Sequence, residues 1–234
     1  MVIAIDGPAG SGKSTIAQLL AEKLKGRDGG EFTYINSGNL YRAITLGCLR
    51  AKIDLSDSEK VIEIAKNIKI SYQKTNVFID GENVTDLLHT DEIDRHSAPV
   101  SAIVPVRHIV NDIIRSLSQG RNIVVEGRDM TTVVFPNAEY RFYLDASADS
   151  RAKRRYEQGV SNLSLEEIKA AIMKRDEIDR NKAEGSLKIA DGAVYLDTSD
   201  LTIMQVYEKL IETIEHIKGK KKCLRGKWYR TLVR

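Results

Sequence analysis

Cysteine is scarce in this chain. Cys48 and Cys223 are the two present in 234 residues, far apart and in no metal-ligand spacing. Two cysteines in a chain of this size do not make a disulfide framework. Long apolar runs are missing too, so no segment reads as a membrane-spanning helix. Only Met1–Ile5 precede the first turn signal, too few for a signal peptide. Together these absences predict a reduced, cytoplasmic protein. There is no internal repeat, and no low-complexity segment apart from the end of the chain. Aromatic residues make up 6%, and the single Trp228 lies beside Tyr229 near that end. The body therefore lacks the spread of basic and aromatic residues that single-stranded nucleic acid requires.

The net charge of +3 is unevenly distributed. From Lys218 to Arg234 there are five Lys, three Arg and no acid, and removing those eight charges leaves −5 for residues 1–217. The body is mildly acidic, which argues against a general nucleic-acid footprint. A length of 234 residues suits one folding unit with small inserts. We expect a single domain over 1–217 and a basic tail over 218–234.

What is present is an alternation. Short apolar runs at Val2–Ile5, Tyr34–Ile35, Ile123–Val125, Tyr140–Leu144 and Ala193–Leu196 read as strands. Between most of them the 3.6-residue period returns, predicting helices at Thr15–Lys25, Leu40–Ala51, Val104–Leu117, Leu165–Arg180 and Thr202–Ile217. Strands alternating with helices predict an α/β fold: a parallel sheet with helices on both faces. Ile123–Val125 has no polar side, as a strand covered on both faces allows. One region breaks the rhythm. Ile68–Ser71 and Val77–Ile79 flank a Lys74-Thr75-Asn76 turn, and Asp80-Gly81 offers another before Val84. This predicts a small antiparallel insert, read either as a decorative hairpin or as a cap over an acceptor site.

Gly7-Pro8-Ala9-Gly10-Ser11-Gly12-Lys13-Ser14 fits G-x-x-x-x-G-K-[ST], follows an apolar strand and opens a helix near Thr15. Glycines let successive backbone N–H groups turn inward onto phosphate oxygens, and the helix N-terminus adds partial positive charge. In such a P-loop, Lys13 reaches the β- and γ-phosphates and the Ser14 hydroxyl ligates Mg²⁺. No N-K-x-D guanine-reading motif is present.

Arginines supply the second set of phosphate-binding groups, their planar fork matching phosphate oxygens. Arg42 and Arg128 each follow a predicted strand, at the sheet edge where open α/β folds bind ligands. Arg151, Arg154 and Arg155 are spaced i, i+3, i+4 on one helix, and Arg175, Asp179 and Lys182 i, i+4, i+7 on another. Asp176 and Arg180 read as an ordinary surface pair. No general base stands out, and a phosphate acceptor needs none, being largely dianionic at neutral pH.

Taken together, Ile5 to Ser14, Ser37-Gly38 with Tyr41-Arg42, Glu126-Gly127-Arg128-Asp129, Thr131 to Pro136, Arg151-Ala152 with Arg154-Arg155, and Arg175-Asp176 with Asp179-Arg180 resemble the bacterial cytidylate kinase family of P-loop nucleoside monophosphate kinases. The stretch from Gly127 to Pro136 is the most specific. The resemblance implies ATP as donor with Mg²⁺, CMP or dCMP as acceptor, and a monomer. It implies Lys13, Arg128, Arg151 and Arg155 as catalytic groups, and Gly7 to Ser14 with Thr15 and Arg154 as the ATP site. Ser37, Arg42, Arg107, Arg128, Asp129, Arg175, Asp179 and Lys182 would form the acceptor site. Within it, Arg107 and Asp129 face cytosine, Arg175 and Asp179 the ribose, and Arg42 and Arg128 the phosphate. A carboxylate suits cytosine because it accepts from the exocyclic amine, whereas uracil presents a carbonyl there. The insert would span about 53–101 and a short lid over ATP about 148–162. In two places the sequence departs from the family pattern: Lys182 stands where an Arg is usual, and Ala98 where a Ser is usual, with Ser97 and Ser101 flanking. The alternatives are a P-loop kinase for another acceptor such as UMP, and a nucleic-acid-binding protein using the basic tail.

Overall fold

The computed structural model describes the backbone of residues 1–231 except Arg27, Lys74 and Val160–Asn162, and the side chains of those residues except Asp91, Asp94 and 220–231. Five strands form one parallel sheet: β1 (Val2–Asp6), β2 (Phe32–Asn36), β6 (Asn122–Gly127), β7 (Tyr140–Asp145) and β8 (Val194–Asp197), in the order β2-β6-β1-β7-β8. The numbering leaves room for a second, antiparallel sheet of β3 (Ile70–Gln73), β4 (Asn76–Ile79) and β5 (Glu82–Asn83). The chain starts in mid-sheet, fills one side with β2 and β6, and then moves to the other. Ligands gather at such a switch, outside the carboxyl ends of the strands.

Both faces of the sheet are buried, which is why its strands carry apolar residues at consecutive positions. Successive side chains point to opposite faces. Ile123 and Val125 pack with Ala4 and Ile35 against α2 (Ser37–Arg50) and α5 (Val104–Ser118), using Leu40, Ile44, Val110 and Ile114. Val124 joins Ile3, Ile5, Phe142 and Leu144 on the other face. There they meet Ile16 and Leu20 of α1 (Lys13–Lys23) and Val206, Leu210 and Ile214 of α8 (Ile203–Thr231). The parallel register pairs Asp6 with Gly127 and Asn36 with Glu126. The P-loop after β1, Ser37 after β2 and Arg128 after β6 therefore leave the sheet side by side.

The insert is larger than the sequence pattern predicts. The antiparallel sheet is there, with β3 displaced toward the C-terminus because Ile68 ends α3 (Ser58–Asn67). Helix α3, a 3₁₀ turn (Thr85–His89) and α4 (Asp91–Ala102) complete it. Asp57 caps α3 by accepting from the Lys60 amide, and Thr90 caps α4 by accepting from the Ile93 amide. The insert is tied to the sheet through Tyr72, whose buried hydroxyl donates to the Asn36 carbonyl at 2.9 Å. That carbonyl belongs to the N-cap of α2, the helix carrying Ser37 and Arg42.

On the β7 side, α6 (Ala148–Glu157) packs on α7 (Leu165–Arg180) through Ala152, Ile168 and Ile172. A reciprocal Ser164–Glu167 capping box opens α7. The rest of the expected lid, at 160–162, lies outside the described residues, as does the Lys74 position of the insert turn. Among the described residues no helix is long and apolar enough to cross a membrane.

Two expectations are corrected. The last helix was expected over Thr202–Ile217, but α8 continues through Gly219 and Gly226 to Thr231. A helix-interior glycine costs roughly 1 kcal/mol relative to alanine, which weakens a helix without ending it. The side chains of Cys223, Trp228 and Leu232 lie outside the described set. Lys182 was expected on the helix face of Arg175 and Asp179, but α7 ends at Arg180, leaving Lys182 in the following turn.

Candidate active site

A cleft of about 930 Å³ runs along the carboxyl edge of the sheet, from the P-loop to α4 and α5. One end is lined by residues 9–16 of the P-loop and α1. Gly7 is needed for a close approach: at φ +149° a Cβ there would lie 2.0 Å from the Leu144 carbonyl oxygen. Lys13 is buried and its Nζ donates to the Pro8 carbonyl at 2.7 Å. Burial, with Arg128 nearby, lowers its ammonium to about 7, against the opposing pull of Glu126 and Asp6. The Ser11 hydroxyl oxygen is buried with no hydrogen-bond partner among the described residues. Ser14 and Thr15 are exposed and line the cleft.

The three arginines of α6 do three different things. Arg151 was expected in a lid over ATP, but it is buried behind the P-loop and does not line the cleft. Its guanidinium donates to the Ala9 carbonyl at 3.0 Å and the Ala146 carbonyl at 2.9 Å, and grips Asp176 at 3.1 and 2.6 Å. Asp176 is thus a buried partner of Arg151, 3% exposed, and not a surface residue paired with Arg180. Arg154 donates to the Thr198 hydroxyl at 3.2 Å and to the Thr198 carbonyl, so it borders the cleft against the loop after β8. Arg155 is exposed at the mouth.

At the other end, Arg42, Arg128, Arg175 and Lys182 converge on the cleft. Asp179 holds the last three together. Arg128 Nε donates to its Oδ2 at 2.8 Å, Lys182 Nζ to its Oδ1 at 2.8 Å, and Arg175 Nε lies 4.0 Å away. Burial alone would raise the Asp179 carboxyl, but Arg128 and Lys182 hold it down to about 2. Ser37 is buried at the start of α2, and Arg42 reaches back over Gly38.

Deeper in, Arg107 and Asp129 form a buried ion pair at 2.5 Å. Arg107 also donates to the Ser101 carbonyl at 3.1 Å and lies over the Tyr41 ring. Burial pushes the Asp129 carboxyl up, partly offset by Arg107. Ser97, Ala98 and Ser101 of α4 border the same space, so the insert roofs this end of the cleft.

A model of the cytidylate kinase family matches residues 3–216 of this chain. The chain belongs to the cytidylate kinase family. It is 44% identical over 215 residues to a cytidylate kinase of Caldanaerobacter subterraneus subsp. tengcongensis, covering 91% of this chain and 93% of that one. It is 37% identical over 217 residues to one from Clostridioides difficile, covering 92% and 98%. A crystal structure of an uncharacterised protein from Eubacterium ventriosum matches with a TM-score of 0.53 at 11% identity, covering 92% of this chain and 98% of that one, a likeness of fold. The chain is accordingly an enzyme, a nucleotide-binding kinase.

For a cytidylate kinase of this sequence, some residues at or beside the cleft were given no role by the motif reading. Glu126, the last-but-one residue of β6, is buried beside Lys13 and accepts from the Tyr34 hydroxyl at 2.8 Å. An ionisable residue closing an apolar strand was the available signal. Gly185, at φ +63°, lies against the Arg107–Asp129 pair: a Cβ there would fall 1.8 Å from Arg107 Nη2 and 2.3 Å from Asp129 Oδ2. Nothing in its local sequence marks it out.

The buried Lys13 ammonium has a sign-definite consequence for stability. Between its folded value of about 7 and its ordinary value of 10.5, the unfolded chain binds the extra proton, so wild-type stability rises with pH across that window. Lys13→Met should therefore raise the melting temperature of ligand-free protein at pH 6, and the gain should vanish by about pH 10. Calorimetry of both proteins across this range checks it. A lower melting temperature for the variant at pH 6 would show that the bond to Pro8 outweighs the burial of charge.

Proposed function

We propose that the chain transfers the γ-phosphate of ATP to CMP or dCMP, yielding ADP and CDP or dCDP. The observation that carries this reading is the single cleft with a P-loop at one end and, at the other, four cations beside a buried arginine–carboxylate pair. An acceptor phosphate oxygen attacks the γ-phosphorus as the bond from that phosphorus to the β-bridging oxygen breaks. The acceptor is already anionic, so positioning and charge stabilisation do the work. P-loop N–H groups and Lys13 take the donor phosphates once Lys13 leaves the Pro8 carbonyl. Arg128, Arg42 and Lys182 take the acceptor phosphate, and Arg175 and Asp179 the ribose. Arg107 and Asp129 read the base edge, with Ser37 beside them. Arg155 closes over the nucleotide from the mouth, Arg154 borders the donor site, and Arg151 acts from behind by holding the Ala9 carbonyl.

A Mg²⁺ ion fits the donor set at the P-loop. The Ser14 hydroxyl is open to the cleft and the Glu126 carboxylate lines it. No cluster of three or more His, Cys, Asp or Glu among the described residues competes as an all-protein cage. That suits an ion held largely by phosphates and water. When bound, the ion neutralises charge on the β- and γ-oxygens. We place the enzyme in the cytoplasm as a monomer. Residues 218–234 form a basic appendage for an anionic partner, on the strength of eight positive charges with no acid among those residues.

A panel of nucleoside monophosphates with ATP and Mg²⁺, read by coupled ADP release, tests the reaction. CMP and dCMP should lead, and Lys13→Met should lower kcat at least about a hundredfold, as loss of an oxyanion-type donor does. Equal use of UMP or AMP by wild type would overturn the acceptor assignment. Asp129→Asn can turn a donor toward a ring carbonyl, so CMP-over-UMP preference should shrink about tenfold or more while the KM for ATP holds. An unchanged ratio would remove Asp129 from base reading.

Truncation before Gly219 should leave kcat and melting temperature unchanged, because among the described residues of α8 the last buried side chain is Ile214 and the last one packed on the core is Ile217, both kept by the truncation. Retention on heparin at low salt should be lost with the tail. A fall of several degrees in melting temperature would make the tail part of the fold.

A further inference from the structure

Asp6 is the last residue of β1 and immediately precedes the P-loop. It is fully buried, and its carboxylate is spent on a different part of the chain. Oδ1 accepts from the Met130 amide at 2.8 Å, and Oδ2 accepts from the Thr131 amide at 2.7 Å and from the Thr131 hydroxyl at 2.6 Å. Those two residues directly follow Arg128 and Asp129. They also open a wide turn of π-helical type (Met130–Val134), in which the Val134 amide bonds the Asp129 carbonyl and the Phe135 amide the Met130 carbonyl. The first N–H groups of any helical turn have no partner within it. Here a side chain from the neighbouring strand supplies one.

We propose that Asp6 is a positioning residue that locks the P-loop to the segment bearing Arg128 and Asp129, and so sets the alignment of the two substrates. The inference rests on the reading of that cleft as a donor and an acceptor site. Packing alone does not call for a carboxylate: burial pushes the Asp6 carboxyl up to about 6 even with Thr131 and Met130 donating to it, so charge is kept there against a penalty. Its hydrogen bonds run to no arginine or lysine; all three go to backbone and hydroxyl groups of one turn. Charge-assisted bonds of this kind are short and directional. They join positions 124 and 125 residues apart in sequence at the point where the two half-sites meet. A displacement of about 1 Å between reacting groups is enough to cost about a hundredfold in rate.

The signature is a loss of turnover without a loss of binding. Asp6→Asn keeps the shape but presents an amide NH₂ to a group of donors. Its kcat should fall about tenfold to a hundredfold, while dissociation constants for ATP and CMP, each measured alone by calorimetry, stay within about threefold. Thr131→Val, which removes one of the three donors, should show a smaller loss of the same kind. Thr131→Ser should restore wild-type kcat, and the double variant Asp6→Asn/Thr131→Val should be no slower than Asp6→Asn. A folded Asp6→Asn with wild-type kcat, or one whose loss is confined to the affinity for one substrate, overturns the proposal. Should Asp6→Asn fail to fold, the Thr131→Val and Thr131→Ser pair decides: equal kcat in the two overturns it. Wild-type turnover of CMP is measured first. If wild type prefers another acceptor, the substrate reading fails by itself, and the same comparison is run with that acceptor.

Discussion

Positive charge has to be concentrated in one cleft before any polyanion arrives, and Asp179 is the group that makes this tolerable. Arg128 and Lys182 are bound to its two oxygens and Arg175 stands close by. Without it, three cations would face one another across a partly buried space, where like charges are poorly screened. With it, the cluster keeps a net positive charge in a fixed geometry. The carboxyl is held down to about 2, so this anion persists throughout the physiological range. The ordering of α7, which delivers Asp179, and of β6, which delivers Arg128, is therefore part of the site's electrostatics.

The same logic governs the P-loop end with the roles reversed. The P-loop must present N–H groups inward, which leaves its carbonyls pointing outward and in need of donors. Lys13 satisfies the Pro8 carbonyl and Arg151 the Ala9 carbonyl. Arg151 is itself fixed by Asp176. Arg151 of α6 and Asp176 of α7 thus support the loop from behind, while α6 also supplies the rim with Arg154 and Arg155. Conformational freedom is removed from the loop before phosphates bind, which is what preorganisation requires.

What could be read from the sequence was local or periodic. The P-loop is contiguous, the five sheet strands are apolar runs, and Arg42 and Arg128 follow strands within a few residues. The parallel register then brings them to one edge automatically. What escaped depends on pairs distant in sequence. Arg151 meets Asp176 across 25 residues, Arg128 meets Asp179 across 51, and Asp6 meets Thr131 across 125. A charged residue spaced like a solvated helix face gives no sign of such a partner. Helices α3 and α4 were hidden for other reasons: α3 buries only Val61 and Ala65, and α4 carries Pro99 inside it. The turn holding Lys182 shows the reverse error, a helical spacing that outlasts the helix itself.

The Tyr72 hydroxyl on the Asn36 carbonyl reaches beyond the geometry of one site. An insert joined to a sheet by loops alone is a module, and recombination among relatives can exchange it freely. Here the insert's antiparallel sheet also touches the cap of α2, while its helix α4 borders the Arg107–Asp129 pair. A chimera with a crossover between residues 36 and 72 would combine a foreign roof with a native floor. The Tyr72–Asn36 bond therefore favours β2, α2 and the insert passing together as a block. Drift in the lineage should then alter this pocket by point substitutions and not by exchange of parts.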